Sequence, residues 1–230
     1  AINGIIVNFA QNVAQPIAPQ ITKSYAAGDK DRSNYLLVLS TKLTFLAMFL
    51  VSSPFLVGTE WILQLWLGQV PDYAAMFTIL VIVDALIDSL NSGIKNIIFA
   101  SGRIKMFQIA SSTLKMFAIV AAFIVLKIGA PAYSLLYAYI LFTVLVFFAN
   151  QWVLSKTLNY DNAYLWKRSY VPSLLVVGLF CPCFFLKLFI PQFVVIVFSI
   201  LYLCILILLV GLTRQERNYL YFIVSKTYKK

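Results

Sequence analysis

The sequence predicts an all-α, polytopic membrane helix bundle with seven transmembrane helices, and three observations carry that prediction. Of its 230 residues, 62% are hydrophobic and only 11% are charged, whereas soluble domains are roughly half apolar and about a quarter charged. Mean hydropathy is +0.89. Apolar runs long enough to cross a bilayer recur along the whole chain, and short loops rich in turn residues separate them. At about 20 residues per span, seven spans take roughly 140 residues and leave no room for a soluble catalytic domain.

The first run, 1–22, is the least apolar: Asn8, Gln11, Asn12, Gln15 and Gln20 lie within it, together with Pro16 and Pro19. Amides at that density suit a water-lined wall better than lipid, and the two prolines remove backbone donors and kink the helix, freeing carbonyls toward the same region. The turn residues Ala27-Gly28-Asp29-Lys30 then lead to the second run, 36–58, and the acidic loop 59–72, with Glu60 and Asp72, to the third, 73–100. Ser101-Gly102 and Gly129-Ala130-Pro131 bracket the fourth run, 106–128, and the fifth follows over 132–155. The last two, 171–190 and 192–212, are tight neighbours around Pro191. Trp61, Trp66 and Tyr73 on one side, and Trp152, Tyr160, Tyr164, Trp166 and Tyr170 on the other, fall near span ends as an aromatic belt does. The first residues have neither the basic start nor the compact apolar run of a signal peptide, and the odd number of spans points to a portion of a longer chain.

Lysine and arginine fix the expected orientation. The loops after runs one, three, five and seven hold thirteen of them: Lys23, Lys30, Arg32, Arg103, Lys105, Lys156, Lys167, Arg168, Arg214, Arg217, Lys226, Lys229 and Lys230. The alternate loops hold Lys127 and Lys187. By the positive-inside rule the C-terminus is cytoplasmic and, with seven spans, the N-terminus is outside. The net charge of +10 is thus a topology signal rather than a nucleic-acid footprint, and the tail from Thr213 reads as a basic segment at the membrane surface.

There is no histidine, which removes Ser-His-Asp and Cys-His catalysis and histidine-ligated zinc. Cys181, Cys183 and Cys204 all sit in apolar runs without further ligands and read as small apolar residues. No metal, catalytic residue or cofactor is expected.

Inside the spans remain Lys42, Asp84, Asp88, Lys95 and Lys115. Each charge costs about 2.5 to 3.5 kcal/mol at bilayer depth unless it faces a cavity or a partner. Asp84, Asp88, Asn91 and Lys95 follow one another at helical spacing and share a face, with Leu80, Ile82, Val83, Leu86 and Leu90 spread around the opposite one. Helix rise puts Asp88 and Lys115 at similar depths, roughly 18 and 15 Å from the inner ends of their runs, which predicts an ion pair between them. The candidate substrate cavity is lined by Asn8, Asn12, Gln15, Asp84, Asp88, Asn91, Lys95 and Lys115, the alternative being an ion pair that only pins two helices together.

Four motifs then fall in order along the chain: Gln15-Pro16-Ile17-Ala18-Pro19-Gln20 leading to Gly28-Asp29, Ile62-Leu63-Gln64-Leu65-Trp66-Leu67-Gly68, Ala100-Ser101-Gly102-Arg103-Ile104-Lys105, and Gly211-Leu212-Thr213-Arg214-Gln215-Glu216-Arg217. Together they resemble the polysaccharide transporter branch, the O-antigen and lipid-linked oligosaccharide flippases, of the multidrug/oligosaccharidyl-lipid/polysaccharide exporter superfamily. The resemblance spans nearly the whole chain. It implies a fold of twelve or fourteen helices in two bundles around a central cavity, of which this chain is spans eight to fourteen. Residues 1–155 then look like five helices of the second bundle, 156–170 like a cytoplasmic interfacial linker, 171–212 like two additional C-terminal helices and 213–230 like a basic cytoplasmic tail. The implied activity is movement of an isoprenoid-pyrophosphate-linked glycan across the bacterial inner membrane by alternating access, without an enzymatic step. The implied partners are that lipid-linked oligosaccharide, membrane lipids and an N-terminal half of the transporter. A multidrug or cation antiporter shares the fold, and a membrane glycosyltransferase or ligase could use Asp84 or Asp88. A third alternative is a purely structural membrane subunit. Lys42, Lys95 and Lys115 outnumber the two aspartates and favour an anionic substrate.

Overall fold

The computed structural model describes Gly4, Asn8, Asn12, residues 15–186 and residues 188–217, and among these residues it is all helical and without strands. Gly4, Asn8 and Asn12 are helical and exposed, and half of the first expected span lies outside the described residues. Residues 15–17 form a turn before helix α1 (Ala18–Ala26). Pro16 lies in that turn, where a missing donor costs little, and Pro19 occupies the first turn of α1, where its nitrogen has no intrahelical acceptor to lose. Gly28, at φ 72°, reverses the chain, and Asp29 caps the next helix by accepting a hydrogen bond from the Arg32 N–H at 3.0 Å.

That helix, α2 (Lys30–Leu67), is the axis of the bundle. It runs 38 residues, longer than a span needs, and is interrupted by Pro54 and by non-helical Gly58. The expected loop 59–72 is therefore helical to Leu67, and the turn is confined to about Gly68–Tyr73. Of its most apolar window 78% is buried, against 6% for α5 (Ile104–Lys127), which lies at the edge and packs mainly on α6 (Ser134–Leu158). The chain closes with α7 (Asn162–Leu186), which contains a π-helical turn at Trp166–Tyr170, and α8 (Gln192–Gly211), which ends in another at Ile207–Gly211.

The expected third span is broken into α3 (Ala74–Ser89) and α4 (Ser92–Ser101), bent by 43°. Among the described residues, five helices are long and apolar enough to cross a membrane, six if this bent pair is one span. The pair runs the full length of α6. At its start Tyr73 meets Tyr133 at a ring distance of 5.4 Å, and after its end Arg103 donates to the Thr157 carbonyl at 2.8 Å.

Close backbone approach at Gly93 seats α4 on α2. A Cβ there would lie 2.3 Å from both the Leu37 carbonyl oxygen and the Thr41 hydroxyl. The seam is polar: Ser92 donates to Thr44 at 2.9 Å and Asn96 to Ser40 at 3.2 Å, while the buried Thr41 hydroxyl has no hydrogen-bond partner among the described residues. Two apolar cores flank it, one around Leu36, Ile94, Ile97 and Leu154, the other around Phe49, Ile82, Val176 and Leu203.

The expected linker 156–170 is mostly helix: α6 continues to Leu158, α7 begins at Asn162, and only 159–161 lie between. Two residues assigned to the aromatic belt are core residues instead. Tyr170 is 1% exposed and Tyr160 7%, because the π-turn carries Tyr170 inward and Tyr160 shares a 2.6 Å hydrogen bond with buried Ser33. Burial pushes the Tyr160 phenol above its ordinary range, an effect partly offset by the Ser33 hydrogen bond.

Candidate functional site

The break between α3 and α4 positions the polar stripe. Leu90 and Asn91 interrupt two helices whose facing turns carry Asp84, Asp88 and Lys95. A broken span frees backbone groups and needs polar company. Tyr170 supplies some of it, donating to the Leu90 carbonyl at 3.3 Å while accepting from the Gln151 amide at 2.5 Å.

Asp88 pairs with Lys95, and the expected Asp88–Lys115 pair does not form. The Lys95 ammonium lies 2.7 and 2.9 Å from the two Asp88 oxygens, with side-chain exposures of 30% and 38%. Its partner is seven residues away, across the break, and a long lysine side chain reaches back over it. Lys115 instead stands exposed on α5, on the side near Asp84. The Thr143 hydroxyl of α6 donates to Asp84 at 2.5 Å. Asp84, Asp88, Lys95 and Lys115 thus form one half-open wall across α3, α4 and α5, braced by α6.

Asn91 departs from this wall. It is fully buried, and neither atom of its amide has a hydrogen-bond partner among the described residues, so it belongs to the interior of the break rather than to the open stripe. Asn8 and Asn12 are exposed, as is Gln15 in the turn.

Lys42 was expected to contribute positive charge to the cavity, and it does not. It is 0% exposed, and its ammonium meets Glu216 at 2.6 Å. The same Glu216 oxygen accepts from the Thr213 N–H at 2.7 Å, and the Thr213 hydroxyl accepts from the Glu216 N–H at 3.4 Å, a reciprocal capping box. Lys42 and Lys95 are each matched by a carboxylate, so the wall carries two aspartates against two lysines.

Two of these partners were missed in the sequence. Thr143 stands amid Leu141, Phe142, Val144 and Leu145, where a lone hydroxyl was the available signal. The pattern Thr213-x-x-Glu216 announces a helix start but gives no hint of Lys42. Among the described residues there is no group of three or more Cys, Asp or Glu that could hold a metal. No protein-family model, curated protein or solved structure matches this chain.

Proposed function

We propose that the chain is the C-terminal portion of a polysaccharide flippase that moves an isoprenoid-pyrophosphate-linked glycan across the bacterial inner membrane by alternating access. The observation that carries the reading is the half-open charged wall of Asp84, Asp88, Lys95 and Lys115. Charges at mid-span are costly against lipid, so this face meets water or other polar helices. The exposed amides of Asn8 and Asn12, the broken α3–α4 span and the order of the four resembling motifs agree with it. The proposed orientation places the turns at Gly28, Gly102 and Asn159 in the cytoplasm with the C-terminus, and Gly68, Gly129 and Pro191 outside, with the bent pair counted as one crossing. A second bundle, the N-terminal half implied by the resemblance, completes the cavity.

The charge balance refines the reading. With Lys42 sequestered, attraction for pyrophosphate comes from Lys95 and Lys115 held against Asp84 and Asp88, not from a surplus of lysines. A cation exporter of the same superfamily is the second reading, favoured by the half-buried Asp84 carboxylate on the same wall. Export decides between them. In the full-length transporter, Lys115→Gln should reduce surface polysaccharide with normal membrane abundance, whereas Asp84→Asn should spare it more. Loss with Asp84→Asn and full export with Lys115→Gln would favour the cation exporter.

A further inference from the structure

We propose that the outer face of α7 is a binding site for one anionic phospholipid, with its headgroup on Lys167 and Arg168 and an acyl chain in the groove beyond them. The helix has two faces of different character. Leu165, Ser169, Ser173, Val176 and Phe180 are buried, recurring every three or four residues as a core-facing stripe does. The other face leaves Val171, Leu174, Leu175, Gly178 and Leu179 around an apolar groove of about 370 Å³. Gly178 lines this shallow groove, with open space where a Cβ would stand.

Charge complementarity names the occupant. Lys167 precedes Val171 by four residues and so stands one turn beyond the end of the groove, with Arg168 beside it. Both are exposed, and neither has a hydrogen bond or ion pair among the described residues. Trp166, 37% exposed at the same level, marks the depth of the membrane interface, where indole rings settle. From Val171 to Leu179 the helix rises about 12 Å, close to the roughly 15 Å of one leaflet's hydrocarbon. A zwitterionic lipid would fill the groove, but its own headgroup cation would offset its phosphate beside two further cations. A lipid with net negative charge satisfies both ends, and basic residues at the headgroup level are the usual recognition element for it.

The site is independent of the transport reading and stands on the membrane placement of α7. Titrating the purified full chain with dioleoyl phosphatidylglycerol or dioleoyl phosphatidylcholine under native mass spectrometry tests it. We expect the anionic lipid to bind about tenfold more tightly, the scale that two basic residues at the interface provide. K167Q/R168Q should abolish that preference, while the charge-matched K105Q/K156Q keeps it. Gly178→Leu should weaken both lipids by filling the groove. Equal loss of preference in the two charge variants would overturn the site in favour of diffuse surface attraction. Displacement of phosphatidylglycerol by a polyprenyl diphosphate at tenfold lower concentration would overturn it in favour of the transported lipid. Efficient disulfide dimerisation of Leu175→Cys in lipid-replete membranes would overturn it in favour of a second copy covering the groove.

Discussion

At the scale of single residues, Glu216 holds two donors at once, and its burial makes the pairing consequential. Removing one member of a buried ion pair strands the other, at about 3 to 5 kcal/mol, whereas replacing both by apolar groups is often near neutral. Lys42→Ala should therefore lower the unfolding temperature of the purified protein and its membrane abundance, and Lys42→Met with Glu216→Leu should restore most of both. A double variant no better than the single would show that the pair contributes more than mutual neutralisation. The Asp88–Lys95 pair is different in kind, because its members are more than a quarter exposed and an exposed pair contributes about 1 kcal/mol or less. Asp88→Asn should leave abundance close to wild type. The sequence made all five mid-span charges visible, since any charge in an apolar run is conspicuous. It could not assign their partners: Glu216 is 174 positions from Lys42, and depth favoured Lys115 for Asp88 because it took no account of the break across which Lys95 reaches back.

At the scale of helices, two glycines make opposite demands. Gly93 faces backbone, with the Leu37 carbonyl oxygen 2.3 Å from where a Cβ would stand. Gly58 faces the far end of a side chain, Ile196 Cδ1, at 2.5 Å. Backbone yields poorly and an isoleucine tip can rotate. Gly93→Ala should thus destabilise by about 1 to 3 kcal/mol or more, as overpacking does, and Gly58→Ala by clearly less. Unfolding temperatures of the two variants in the same detergent check the order, and equal losses would contradict the close approach of α4 to α2. Hydropathy located the described helices well because each must bury or solvate an apolar surface in lipid. It misplaced boundaries where local signals conflict. Residues 59–67 follow a run already long enough to span and open with Thr59-Glu60, and so read as a loop, yet continue α2, and 162–170 carry Lys167 and Arg168 yet belong to α7. The break at Leu90 and Asn91 has no proline to announce it, and it depends on tertiary contacts from Tyr170 and Gly93 that periodicity does not encode.

At the scale of the whole molecule, loops meet at two ends of the bundle. Ser33 with Tyr160, and Arg103 with Thr157, join one end. Tyr73 with Tyr133, and Trp61 with Phe193, join the other. The basic loops collect at the first end and the acidic turn at the second, so the charge asymmetry and the packing agree on which turns share a side. A reporter inserted at Gly68 should therefore score external, and one at Gly102 cytoplasmic. The Gly102 insertion discriminates best, because it depends on α3 and α4 crossing as one bent span. If the pair instead dipped in and returned, Gly102 would score on the same side as Gly68, and α5 and α6 would be inverted with it. That outcome would also separate Arg103 from the cytoplasmic positive charge, and would place Lys95 and Lys115 on different aqueous routes. A cytoplasmic Gly102 with an external Gly68 keeps the four wall charges on one path between the two sides, as the proposed alternating access requires.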